Sequence, residues 1–117
     1  MGTNFYVVPN RPSVETPVHI GKSSIGWTFL FQSQNETWHE PPIVWNTYKQ
    51  VHDWLYEYTV QSNDYVIMDE YDRIISFRDF IELVEEKQKD EHNLSNPHLY
   101  EHCRNVDGYR FSDEWFR

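Results

Sequence analysis

The sequence predicts an α+β fold, a small antiparallel sheet with two main helices packed on it, as one domain over residues 1–117. Three observations predict it. Short runs rich in β-branched and aromatic residues read as strands. Two longer stretches carry apolar residues at helical spacing. A chain of 117 residues fits one domain and leaves little room for two.

Residues 4–8, Asn-Phe-Tyr-Val-Val, predict the first strand. Pro9, Pro12 and Pro17 bracket an irregular connection. Residues 18–21 and 26–32 predict a hairpin, with a turn over Gly21-Lys22-Ser23-Ser24-Ile25-Gly26. In its second strand Trp27, Phe29 and Phe31 fall on one face, Thr28 and Leu30 on the other. Residues 33–42 are polar and close on Pro41-Pro42, which predicts a loop carrying Trp38 and His39.

The stretch 46–60 predicts a helix capped by Asn46, with Tyr48, Val51, Leu55 and Tyr58 in its stripe and Trp54 beside it. Asn63-Asp64 ends it. A strand at 65–68, a charged turn from Asp69 to Arg73 and a short strand at Ile74-Ile75 follow. Ser76 and Asp79 then give an Asp version of the capping box. Phe77, Phe80, Ile81 and Val84 form the stripe of this second helix, and Glu85 to Glu91 its solvated end. Residues 98–104 predict one helical turn, 106–111 a strand around Asp107-Gly108, and 111–116 a short closing helix.

Five Trp, eight Tyr and seven Phe, twenty rings in all, predict an aromatic-built core with rings left over for interfaces. Ten Lys and Arg stand against 19 Asp and Glu, a formal charge of −9. Sixteen of the acidic groups follow residue 45. Such a field repels phosphate and argues against direct nucleic-acid binding. It suits competition with nucleic acid for a basic cleft on another protein. Cys103 is the sole cysteine, so no intrachain disulfide forms, which fits a reducing cytoplasm. The first residues lack the basic and apolar regions of a secretory signal, and no apolar run reaches membrane-spanning length.

Gly21-Lys22-Ser23 echoes the end of a phosphate-binding loop. The motif needs a glycine where Thr16 stands, and Pro17 removes a backbone N–H, so an NTPase is excluded. What remains is a candidate anion contact from Lys22, Ser23 and Ser24. His98 and His102 stand at i, i+4 near His92 and Cys103, a candidate metal pair with no H-E-x-x-H and no second ligand pair. Cys103 lacks a positioned base and reads as inert. No cofactor is expected and no catalytic residue is assigned. Asp69, Glu70 and Asp72 form an acidic turn that Arg73 neutralises in part.

Four segments carry a resemblance. Met1-Gly2-Thr3-Asn4-Phe5-Tyr6, the run His19 to Trp27, Asp69 to Ser76, and Gly108-Tyr109-Arg110-Phe111-Ser112 are similar to a family of small uncharacterised phage and prophage proteins. Many members carry Cys-x-x-Cys where this chain has Asn10-Arg11-Pro12-Ser13, so no zinc-stabilised loop is implied. The resemblance implies an accessory protein acting in the cytoplasm of a bacterial host. The expected function is binding and inhibition of a host component, anti-defence in kind, whose partner is a basic nucleic-acid-binding effector such as a CRISPR nuclease. The expected surface joins His19, Lys22, Ser23, Ser24 and Trp27 to Asp69, Glu70, Tyr71 and Arg73. Two alternatives stay open. One is a sponge for a cyclic nucleotide, held by Lys22, Ser23, Ser24 and Arg73 with Trp27 or Tyr71 stacked on the base. The other is a small metal-dependent hydrolase using His98 and His102.

Overall fold

The computed structural model describes residues 2–12, 16–24, 29–88, 103–106 and 108–112, with the backbone alone at 24 and 103–105. Strand β1 (Gly2–Pro9) is an interior strand of the main sheet. It pairs antiparallel with β2 (Val18–Ser24) on one side and β6 (Tyr65–Asp69) on the other. Beyond β6 lies the edge strand β7 (Ile74–Ile75). Beyond β2 come β3 (Leu30–Gln32), then β9 (Tyr109–Ser112) and β8 (Cys103–Val106), giving the order β7-β6-β1-β2-β3-β9-β8. The ribbon β4 (Gln34–Glu36) and β5 (Ile43–Trp45) stands apart. Helices α1 (Tyr48–Leu55) and α2 (Phe77–Lys87) complete the α+β fold.

The sheet is larger than the sequence suggests and is not wholly antiparallel. The pair β3/β9 is parallel, with Phe31 opposite Phe111. Residues 33–42, expected as a loop, contain β4, whose partner β5 completes the ribbon. Three-residue strands give too little alternation to read from sequence. Residues 106–111, expected as one strand, divide at Gly108, whose φ of +86° suits a turn between β8 and β9. Residues 103–104, expected in a helical turn, belong to β8, and 111–112, expected in a helix, belong to β9.

The largest correction concerns Gly21 to Ser24. These residues are strand, not turn. Thr3, Asn4 and Phe5 of β1 pair with Ser23, Lys22 and Gly21, so β2 runs on to Ser24. The glycine serves close approach. A Cβ at Gly21 would overlap the Leu30 carbonyl oxygen and the Phe29 ring. Next to it the pairing slips by one residue, because Phe5 faces Gly21 while Tyr6 faces His19, leaving Ile20 as a bulge.

Phe29 is fully buried over that glycine and meets Phe5, Phe31 and Phe80 at centroid distances of 5.9, 4.7 and 5.4 Å. Phe80 brings α2 onto the sheet, packing edge-on against Phe5 at 5.5 Å. Val51 and Leu55 of α1, Val84 of α2, and Ile43 and Trp45 of β5 join the same core. Phe31 stacks on Phe111 at 5.0 Å, which ties β9 into it. The helix stripes predicted from spacing therefore face the sheet, with Phe77, Ile81, Tyr48 and Tyr58 at the margin.

Thr47, not Asn46, caps α1. Its Oγ1 accepts from the Gln50 amide at 3.2 Å, while the Asn46 side chain pairs with Asn35 of β4. The α-helix stops at Leu55 and continues as a π-helical turn, Tyr56–Gln61. Thr59 Oγ1 donates to the Leu55 carbonyl at 2.6 Å, a back-bond that competes with the α ladder. Asn63, at φ 57°, ends the segment where the sequence places its end. Ser76 caps α2 as predicted, accepting from the Asp79 amide at 3.1 Å.

A methyl group at residue 21 must push the Leu30 backbone or the Phe29 ring. Gly21→Ala is expected to lower unfolding free energy by about 1–3 kcal/mol. Urea denaturation with an unchanged m-value checks this.

Candidate functional site

The site expected from sequence is built around the β6–β7 turn, and Asp69 organises it. Asp69 ends β6 on the core-facing side, in register with Phe5. Its carboxylate accepts three hydrogen bonds. Oδ1 takes the amides of Tyr71 at 2.8 Å and Arg73 at 3.0 Å, and Oδ2 takes the Arg73 Nε at 2.7 Å. Burial pushes the carboxyl up, but the Arg73 and Tyr71 amides and the Arg73 guanidinium outweigh it, so Asp69 stays below the ordinary carboxylate range. The Asp69 amide donates to the Arg73 carbonyl at 3.0 Å, and Asp72 takes a left-handed φ of 63° to close the turn.

Glu70 points back to β1. Its Oε1 accepts from the Asn4 amide at 2.7 Å and from Asn4 Nδ2 at 3.3 Å. With Nδ2 so committed, Asn4 Oδ1 faces His19 Nε2 at 2.9 Å. An amide oxygen can only accept, so His19 carries its proton on Nε2. His19 is 5% exposed. Burial is the main force that lowers its pKa to about 4, against smaller opposing effects of Gln32 and the Gly21 backbone. It is neutral at pH 7. Alternation along β1 puts Asn4 and Tyr6 on the sheet face opposite Phe5 and Val7. That face holds buried polar groups, including Asn4, His19, Gln32, Arg110 and Ser112. Gln34 Nε2 donates to the His19 carbonyl at 3.1 Å, and Gln32 Nε2 to the Ser112 carbonyl at 3.2 Å.

On the helix-covered face, β1, β2, β7 and α2 enclose a cleft of about 460 Å³. Thr3, Ser23, Asp69, Arg73 and Asp79 supply its polar wall, and Phe5, Ile75, Phe80 and Leu83 its apolar wall. A shallower hollow of about 220 Å³ lies on the other face between Tyr6, Pro17, Met68 and Asp72.

The expected surface is thus assembled in part. Ser23 comes to Asp69 and Arg73 across the cleft. Lys22 does not, because neighbouring residues of a strand face opposite sides, and Lys22 pairs with Asn4 and Leu30. Ser24 ends β2, and Trp27, His98 and His102 lie outside the described residues. Asp69, Glu70 and His19 are engaged within the fold, whereas Tyr71 is 60% exposed and the Arg73 side chain 70% exposed. Arg73 Cζ stands 5.4 Å from the centre of the Tyr71 ring. Sequence reasoning missed Thr3, Ile74 and Asp79 as site residues. Only the β1–β2 register could have drawn in Thr3. Among the described residues no group of three or more His, Cys, Asp or Glu is placed to hold a metal ion, and no helix is long and apolar enough to cross a membrane.

Comparison with protein families, curated proteins and solved structures gives no match to this chain.

Two outcomes follow. The unfolded chain takes up a proton at His19 near pH 6.5, while the folded chain resists to about 4. Stability from neutral His19 is complete above pH 6.5 and falls as pH drops toward 4. The loss is on the order of 2–3 kcal/mol after allowance for screening. His19→Gln should flatten the denaturation midpoint across this range, read by fluorescence at fixed ionic strength. Asp69→Ala strips three hydrogen bonds from the turn and should cost about 2 kcal/mol or more. Faster amide exchange at Tyr71 and Arg73 would report it.

Proposed function

We propose that this chain is a binding protein that occupies a basic surface on a bacterial host component. The observation that carries this reading is the β6–β7 hairpin tip. There Tyr71 and Ile74, 60% and 69% exposed, stand at the sheet edge beside the carboxylates of Glu70 and Asp72. An apolar centre with a charged rim is the usual layout of a recognition patch. The tip is already ordered by the Asp69 hydrogen bonds, so a partner has little loop entropy to remove. A net charge of −9 favours a basic partner and speeds encounter with it.

The resemblance to phage and prophage proteins gives this binding its direction, an anti-defence inhibitor that covers a nucleic-acid-binding cleft, for instance that of a CRISPR nuclease. The cytoplasm of the host cell is the expected place of action. The geometry favours a nucleotide sponge less. Lys22 faces away from Ser23, Arg73 is tied to Asp69, and Asp79 would oppose a phosphate in the cleft.

Affinity capture from bacterial lysate tests the reading. The wild-type chain should retain a basic protein at about 0.05 M salt and release most of it at about 0.5 M, where screening shortens to a few ångströms. Tyr71→Ala with Ile74→Ser should abolish capture while leaving the denaturation curve in place. Retention of no basic protein, or equal retention by the variant, would sink the proposal.

A further inference from the structure

The geometry points to a second binding site: the cleft between β1, β2, β7 and α2 takes a small organic cation with an apolar stem, an alkylguanidinium or alkylammonium group. The site adjoins the hairpin tip, sharing Ile74 with it, but does not depend on the host-partner reading. Its volume of about 460 Å³ suits a small ligand. Ile74, Ile75 and Leu83, set over the buried Phe5 and Phe80, offer apolar surface, against which a methylene chain can lie while its charged head stays at the mouth.

The head group is chosen by what the polar wall leaves unused. Thr3 and Ser23 are direct cross-strand partners, so their hydroxyls stand side by side. Among the described residues neither hydroxyl has a hydrogen-bond partner. Asp79 donates its amide to the Ser76 cap, but its carboxylate does not return the bond to residue 76 and likewise has no partner among them. Two hydroxyls and one carboxylate thus have no protein partner among the described residues and are open to a ligand. The remaining charges nearly cancel, because Arg73 Nε already donates to Asp69 at 2.7 Å. Asp69 and Asp79 against Arg73 leave the wall a net negative charge, and Asp79 is the charged group of the wall outside the Asp69–Arg73 pair. An N–H-rich cation can pair with Asp79 and donate to both hydroxyls, whereas an anion would meet Asp79.

The test uses the full chain with N-butylguanidinium as probe, followed by backbone amide resonances. Saturable shifts are expected at Ser23, Ile75, Phe80 and Leu83. Asp79→Asn should weaken the affinity about five-fold. Because Asp79 lies in the first turn of α2, Ser23→Ala provides a variant away from the helix start and should weaken binding several-fold. Butyrate, with a similar stem and a negative head, should leave these resonances in place. Absence of saturable shifts with butylguanidinium, unchanged affinity in both variants, or equal binding of butyrate overturns the site. N-acetylarginine amide separates the sources. Binding as tight as butylguanidinium assigns the site to an arginine side chain of a protein, and binding only of the free guanidinium assigns it to a small metabolite.

Discussion

The close approach of Phe29 and Leu30 to Gly21 is the constraint on which the rest of the fold depends. No side chain at residue 21 allows the Phe29 ring to lie over β2. From there Phe29 touches Phe5, Phe31 and Phe80, so one ring joins the first strand, the third strand and the second helix. Phe31 extends the contact to β9 by stacking on Phe111. Remove the approach and α2 loses its seat. The cleft beside it, walled by Phe5 and Phe80, loses its shape as well.

The two faces of the sheet divide the chemistry. One face is aromatic and apolar, and covered by helices. The other carries buried polar groups joined through side-chain and backbone hydrogen bonds, with Glu70, Asn4 and His19 in one line. Such a network fixes register, since each member has one geometry that satisfies the next. It also accounts for the fate of the acidic turn. Asp69 and Glu70 are spent on positioning, and what they position is the exposed pair Tyr71 and Ile74. The carboxylates set the tip and its field, and the apolar groups offer the contact area.

Several elements were legible because their signals are local. The Ser76 cap and the stripe of α2 need only four-residue spacing, and both are formed, though Asp79 does not return the bond that a full capping box would have. The charged turn at 69–73 lies where its composition puts it, between β6 and β7. The α1 cap was displaced by one residue because Asn46 is taken by Asn35, eleven positions away, which leaves Thr47 to cap. The π-helical turn was not legible, since it depends on how Thr59 bonds to the Leu55 carbonyl. The ribbon β4–β5 and the parallel β3/β9 pair rest on partners that sequence periodicity does not name.

By itself the sequence determined the α+β class, the positions of both helices, the aromatic make-up of the core and the acidic character of the second half. These follow from residue type and short-range spacing. Only the tertiary structure decided that Gly21-Lys22-Ser23-Ser24 is a strand, because that depends on what β1 places opposite it. The same pairing sends Ser23 into the cleft with Arg73 and Lys22 to the other face. A glycine, a lysine and two serines read alike in a turn and in a strand. Their partners across the sheet, far away in the chain, choose between the two.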